Sequence, residues 1–247
     1  IRLKSFLAST SGRVIVAFLI ALALHLLGTV LIDGYSSSFS IRAMLVIASL
    51  LAVACVGQTL VVVLGGIDLS IPFVIGFANV VAAQLYGEQW NFGLVCVLVG
   101  VIAILIGAFN GYVSRKLDIH PLIVTLGTGM VVQGAVLLWT AGFPSGSAPQ
   151  AVSDFVSIGG SVGPLPFPWV VPCLAVLAVA IMALMARSPY GRRLYALGSN
   201  PGAAPLALID PVRMWAVTFA ISAFFAAVAG ALLLGFTGSA YGDVGPP

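Results

Sequence analysis

The chain has 247 residues, of which 61% are hydrophobic and 7% charged, with a formal net charge of +3. So few polar groups cannot cover a soluble globule of that length, which points to an integral membrane protein. The basic residues are scattered among apolar runs and form no stripe or patch, which speaks against nucleic acid as a partner.

The chain begins at Ile1 rather than methionine, and its natural start is expected to lie upstream. Arg2, Lys4 and Arg13 precede an apolar stretch at 14–32. Its length exceeds a signal-peptide core and approaches the ~20 residues needed to cross a bilayer, so it is the first predicted span. His25 in its middle reads either as a neutral histidine bonded to a neighbouring helix or as a proton relay. Residues 43–87 hold one charge, Asp68, in a stretch long enough for two crossings. Helix propensity collapses at Gly65 and Gly66, which places a second span at 43–64 and a third at 69–87. Asp68 or Ser70 can cap that third helix, with Pro72 tolerated in its first turn. The alternative is an interruption near membrane depth that opens backbone groups and a carboxylate to a water-filled pathway.

After a short turn at 88–91, a fourth span at 92–114 ends at Arg115 and Lys116. Gly107 and Gly111 fall one turn apart and let another helix approach closely, while Asn110 beside them either packs or faces a pathway. Pro121 opens a fifth span at 121–141, in which Thr125 and Thr128 share a face. Those two hydroxyls either bond back to their own helix or line a polar path. Residues 142–167, rich in Gly, Pro and Ser, form an external loop with a re-entrant piece expected around 151–158. A sixth span is predicted at 168–186 and a seventh at 214–237, the latter with Ala223, Ala226, Ala227 and Gly230 on a close-packing face. Between them, 187–213 combines four arginines with Tyr190, Leu194, Leu197, Leu206 and Leu208, broken by glycine and proline. Short amphipathic pieces of this kind suit a segment that leaves the membrane, lies against another protein and returns. Cys55, Cys96 and Cys173 each lie inside an apolar run as small hydrophobes. The predicted fold class is therefore all-α: one polytopic transmembrane helix bundle over 1–247, with about seven spans, one or more of them interrupted.

Orientation follows from the basic residues. Arg2, Lys4, Arg13, Arg115, Lys116, Arg187, Arg192, Arg193 and Arg213 fall on one side of these spans and Arg42 alone on the other. The bias makes the N-terminus and 187–213 cytoplasmic and puts the loop at 142–167 on the far side.

Three stretches carry a family resemblance. GQTLVVVLGGIDLS at 57–70, GAFNGYVSRKLDIHPLIVTLGT at 107–128 and SPYGRRLYALGSNPGAA at 188–204 resemble the bacterial sugar-type ABC importer permeases, the ribose, xylose and galactofuranose group. The match runs in order from about residue 42 to residue 245, and GGIDLS and GRRLYALGxN are its specific patterns. Pro72 stands where the family usually has glycine, and Pro205 and Leu208 replace a frequent arginine and glycine. The resemblance implies further spans after the position of Pro247, so the chain is expected to be the front part of a permease in the bacterial inner membrane. It also implies a second permease subunit, identical or different, around a shared path. Two cytoplasmic ABC ATPase subunits would lie beneath and a periplasmic sugar-binding protein outside, which would make the far side of 142–167 the periplasmic one. The family's coupling surface falls on Gly191, Arg192, Arg193, Ala196, Gly198, Asn200, Ala203 and Ala204. Short helices docked in an ATPase groove would there pass its closure to the spans. The other reading of Arg192 and Arg193 is that they only mark the cytoplasmic side.

The residues support that division of labour separately. Lys4 and Lys116 are the only lysines and neither ends a phosphate-cradling glycine loop, so no cofactor is expected in this chain, ATP and magnesium belonging to partner subunits. No cluster of His, Cys, Asp or Glu suits a metal or an intramembrane enzyme. The pathway candidates are Gln58, Thr59, Gly65, Gly66, Asp68, Ser70, Asn110, Thr125 and Thr128. Apart from Asp68 they are uncharged and suit a neutral, hydroxyl-rich solute such as a monosaccharide. Gln58, Thr59, Asn110, Thr125 and Thr128 can equally be glue between helices. A branched-chain amino acid permease and a passive small-solute channel are the alternatives.

Overall fold

The computed structural model describes residues 10–163 and 167–240. Arg2 and Lys4, counted above for orientation, and the tail at 241–247 lie outside them. Among the described residues the protein is an α-helical bundle with no strand, isolated bridges such as Ser147–Ser239 aside. Six helices are long and apolar enough to cross a bilayer. They are α1 (Thr10–Leu31), α2 (Ser38–Leu64), α4 (Phe92–Lys116), α5 (Pro121–Trp139), α7 (Val170–Arg187) and α9 (Pro211–Thr237). The remaining predicted span is the shorter α3 (Ile71–Gly87), whose 17 residues reach only about 26 Å. Two short helices, α6 (Gln150–Val156) and α8 (Pro189–Ser199), and a 3₁₀ turn at Ala204–Ala207 complete the order.

The ends follow local chemistry. Asn91 Oδ1 accepts the Gly93 and Leu94 amides to start α4, and Ser188 Oγ accepts the Gly191 amide to start α8. Asp210 Oδ1 accepts the amides of Val212 and Arg213, with Pro211 as the first helical residue of α9. A cap followed by proline uses a position whose N–H has no helical partner. This cap starts the last span three residues before the predicted 214. The second span likewise begins at Ser38 rather than 43, which brings Arg42 into its first two turns.

The chain divides into two compact units at the Leu45/Val46 step. The first holds His25. Its ring lies 5.3 Å from that of Tyr35, and its carbonyl accepts the Thr29 hydroxyl at 3.0 Å.

In the second unit α9 is the axis, with its most extensive seam against α4 and the next against α3. Helices in lipid gain little from apolar transfer, so close backbone approach has to supply the packing energy. A Cβ at Gly107 would overlap the Phe219 carbonyl, and one at Gly111 the Trp215 carbonyl. Gly230 does the same for α3, where a Cβ would overlap the Ile75 carbonyl. Ala223, Ala226 and Ala227, predicted as a packing face, are buried against Val74, Ala78, Val95, Val99 and Ala103. The piece anticipated around 151–158 is α6, which lies on α9: a Cβ at Gly235 would come within 2.7 Å of Val152. Gln84 Oε1 ties the adjoining loop to α3 by accepting the Ser145 amide at 3.2 Å and hydroxyl at 3.1 Å.

Gly111→Leu is therefore expected to destabilise the fold by roughly 1–3 kcal/mol or more through overpacking of the seam. Gly127→Ala, in the open interior of α5, should be neutral or stabilising by about 0.5–1 kcal/mol. Thermal unfolding of the two purified variants in detergent separates these outcomes.

Candidate functional site

Between α2 and α3 the chain leaves helical geometry for residues 65–70, inside the bundle rather than at its rim. Ser222, which reaches this segment, lies about 16 Å along α9 from Pro211. Gly65 has φ +94° and folds the end of α2 back, so that the Gly65 and Gly66 amides close on the Val62 and Val61 carbonyls. Beyond that point no helical acceptor remains, and side chains of α2, of α5 and of the segment itself take over. The Asp68 amide donates to Gln58 Oε1 of α2 at 3.3 Å. The Leu69 amide donates to Thr125 Oγ1 of α5 at 3.0 Å. The Ser70 amide donates to Asp68 Oδ1 at 2.9 Å.

Asp68 is the centre of this junction. It is 3% exposed and accepts the Ser70 hydroxyl on Oδ1 at 2.5 Å and the Ser222 hydroxyl on Oδ2 at 2.8 Å. Asn110 Nδ2 of α4 donates to Ser70 Oγ at 3.1 Å. No basic side chain pairs with the carboxylate among the described residues, whose ion pairs are Arg115–Asp118 and Arg213–Asp210. Its two oxygens are met by three hydrogen-bond donors, the arrangement that makes a buried acid tolerable. One carboxylate thus holds the interrupted segment to α9 directly and to α4 through Ser70.

Of the pathway candidates, Gln58, Asp68, Ser70, Asn110 and Thr125 converge here, around the turn that Gly65 and Gly66 form. Thr125 also bonds back to the Pro121 carbonyl at 2.9 Å, so one hydroxyl closes on its own helix and accepts the Leu69 amide. Two candidates lie apart. Thr59 is exposed, bonded to the Cys55 carbonyl at 2.7 Å, on the wall of an apolar groove of about 540 Å³ between α2 and α7. Thr128 sits half-buried one turn beyond Thr125. Sequence reasoning missed Ser222, although it is the sole hydroxyl in an otherwise apolar stretch of α9 and stands four residues after Thr218.

The segment after α7 is a second feature, and it has two faces. Leu194 and Leu197 of α8 are buried with Leu60, Leu64, Met185, Ile209 and Phe219. Gly191 and Gly198 also face inward, where a Cβ would overlap the Met185 and Val63 carbonyls respectively. Ala204 is buried too. The Thr218 hydroxyl donates to the Met214 carbonyl at 2.7 Å, which leaves the Tyr190 hydroxyl as donor to Thr218 Oγ1 at 3.0 Å. Burial pushes the Tyr190 phenol above its ordinary pKa, against the opposing Thr218 bond, so it stays a neutral donor. The outer face carries Arg192, Arg193, Ala196, Asn200 and Ala203. Asn200 Oδ1 accepts the Ala203 amide at 3.1 Å and shapes the turn there. Leu206 and Leu208 are 87% and 95% exposed. The predicted coupling residues therefore divide into an anchoring set (Gly191, Gly198, Ala204) and a presented set.

These features define a polytopic helical membrane protein with one span broken at a buried polar junction and an amphipathic elbow docked on the ends of its helices. Residues 40–246 match the family described as branched-chain amino acid transport system / permease component, and the chain belongs to that family. It is 29% identical over 245 residues to the fructose import permease of Rhizobium meliloti, covering 96% of this chain and 67% of that protein. It is 30% identical over 197 residues to the ribose import permease of Haemophilus influenzae, covering 78% of this chain and 60% of that protein. An autoinducer 2 import system permease of Klebsiella pneumoniae is 30% identical over 193 residues, covering 76% of this chain and 57% of that protein. The chain thus spans between 57% and 67% of the length of these relatives. No solved structure matches it significantly. It is a multi-pass protein of the bacterial inner membrane.

Ser222→Ala leaves Asp68 Oδ2 without its donor in a buried site and is expected to cost about 1–3 kcal/mol of stability. Asp68→Ala should lower folded yield further, whereas Asp68→Asn, which keeps the shape and an acceptor, should lie between; melting in detergent ranks the three. Leu208 sits at φ +57°. Leu208→Gly should therefore raise stability by about 0.5–1 kcal/mol, the left-handed penalty less the added chain entropy.

Proposed function

We propose that this chain is the membrane-spanning permease subunit of an ATP-driven importer. Its cargo is a small neutral hydroxylated solute of the monosaccharide class, handed over by a periplasmic binding protein. A second permease subunit completes the path, and separate ATPase subunits hold ATP and magnesium. The observation that carries this reading is the two-faced elbow at 187–210: one face fitted by glycine and leucine to the helices, the other presenting arginines and bare leucines outward. A segment so firmly seated is suited to carry a load.

The mechanism follows from where the elbow is fastened. Gly198 rests on the Val63 carbonyl near the end of α2, and Tyr190 is bonded to Thr218 on α9. One turn further along α9, Ser222 holds Asp68. A shift of the elbow therefore pulls on both sides of the interrupted segment, α2 before it and α9 across from it. Transport is coupled only if the two arrangements of the spans bind the ATPase and the solute with different free energy. The neutral-solute reading rests on the charge pattern, because no charged side chain lies mid-way along any of the described membrane-length helices. Asp68, the one acid near that depth, has its oxygens already engaged. A zwitterionic amino acid would need free opposite charges there. The names of the fructose and ribose import relatives favour the same side.

In the reconstituted assembly, Arg192→Ala combined with Asn200→Ala should leave ATP hydrolysis running while uptake falls roughly tenfold, the scale of a typical coupling energy. Tyr190→Phe should act in the same direction more mildly. Co-purification decides the premise: if no ATPase accompanies the chain, and it passes sugar without ATP, the importer reading is wrong.

A further inference from the structure

At the opposite side of α9 from the elbow's anchor, the ends of α4 and α9 enclose a cleft of about 370 Å³, lined by Tyr112, Lys116, Asp210, Val212, Arg213 and Ala216. Its walls are stiff, because Gly111 brings α4 against the Trp215 carbonyl and Ala216 directly beside it. Two cations from different helices meet one acid. Arg213 Nε lies 3.2 Å from Asp210 Oδ2, with the arginine side chain 87% exposed and the aspartate 49% exposed. The other Asp210 oxygen is committed to capping α9. Lys116 has no ion-pair partner among the described residues, since the nearby Asp118 approaches Arg115 instead, at 3.8 Å. The cleft therefore keeps one uncompensated positive charge, a phenol and the free guanidinium N–H groups of Arg213.

What leads away from those groups is apolar. Leu98, Val101, Leu105, Phe109 and Tyr112 are all exposed. They follow one another by three or four residues to Lys116, so they form a single ladder along α4. From Leu98 to Tyr112 the ladder runs about 21 Å, more than the ~15 Å hydrocarbon depth of one leaflet.

We propose that this cleft is a binding site for an anionic phospholipid, its phosphodiester held by Lys116 and Arg213 with a bond from the Tyr112 hydroxyl, and one acyl chain laid along the α4 ladder. An acidic side chain of a partner protein would use the cations but would leave the ladder unused. Basic groups at the membrane surface, next to exposed apolar helix, match a lipid in both parts. The inference needs only that the protein spans a bilayer; it does not rest on the transport reading.

The test uses the full protein purified from membranes and stripped of lipid, titrated in native mass spectrometry. The ligands are phosphatidylglycerol, phosphatidylcholine with the same chains, and glycerol 3-phosphate. Phosphatidylglycerol should bind at least about fivefold more tightly than phosphatidylcholine, as expected for one net charge near the surface, and the preference should shrink as salt is raised. Lys116→Gln with Arg213→Gln should abolish the preference, and Arg187→Gln, another terminal arginine, should keep it. If the double variant does not fold, Lys116→Arg should retain the preference and Tyr112→Phe should weaken it. Equal binding of the two lipids, or an unchanged preference in the double variant, overturns the proposal. So does glycerol 3-phosphate binding as well as the lipid, which would make this a soluble-anion site. A photo-crosslinker at position 112 that captures a protein rather than lipid in native membranes overturns it as well.

Discussion

A helix broken inside an apolar bundle leaves amide groups that neither lipid nor hydrocarbon side chains can satisfy, and everything else in this fold is arranged around that debt. Each unmet group costs several kcal/mol in such surroundings. The chain meets the demand between α2 and α3 by giving the Asp68 and Leu69 amides to Gln58 and Thr125, while Asn110 and Ser222 donate to the Ser70 and Asp68 side chains. Asp68 accepts from Ser70 and Ser222. Because its partners sit on α9 and, by way of Ser70, on α4, the break holds the bundle together where an ordinary interruption would weaken it.

Such a junction demands rigid neighbours, and the glycines supply them. Gly57 brings α2 so close to Ser222 that a Cβ would lie 2.7 Å from its Cα. Gly107, Gly111 and Gly230 do the same for α4 and α3 along α9. Three helices are thus keyed to one axis by backbone contact, which fixes the hydrogen-bond distances at Asp68 more firmly than flexible side-chain packing could. The same stiffness gives the cleft beside Lys116 and Arg213 its definite shape.

The elbow at 187–210 obeys a related logic at the bundle's end. Its inward residues are those that permit contact, glycine, leucine and alanine, and its outward residues are those that can make new contacts. Tyr190 and Gly198 fasten it to α9 and α2, the helices that border the interrupted segment. The presented face of the elbow and the region that is unusual inside the bundle are therefore separated by little more than one helical turn of α9.

Much of this was legible beforehand, for stated reasons. Apolar runs of bilayer length and the collapse of helix propensity at Gly65 and Gly66 point to the regions where the long helices of the described residues lie, since burial in lipid leaves the backbone no other choice. The departures were local: the Asp210–Pro211 cap started α9 early, and Ser38 started α2 ahead of Arg42, because a short polar turn is absorbed once its amides find partners. GGIDLS and GRRLYALGxN marked the two regions of interest and the family. What the linear order could not disclose was which polar groups meet. Ser222 stands 154 positions from Asp68, and although it is the one hydroxyl in an apolar stretch, its position in the sequence does not show what it meets. Nor could composition separate Gly191 and Gly198, which seat the elbow, from Arg192 and Arg193, which it presents. Helical periodicity assigns residues to faces, but only the packed bundle decides which face another backbone comes to touch, and that choice makes Asp68 a fastening within the bundle.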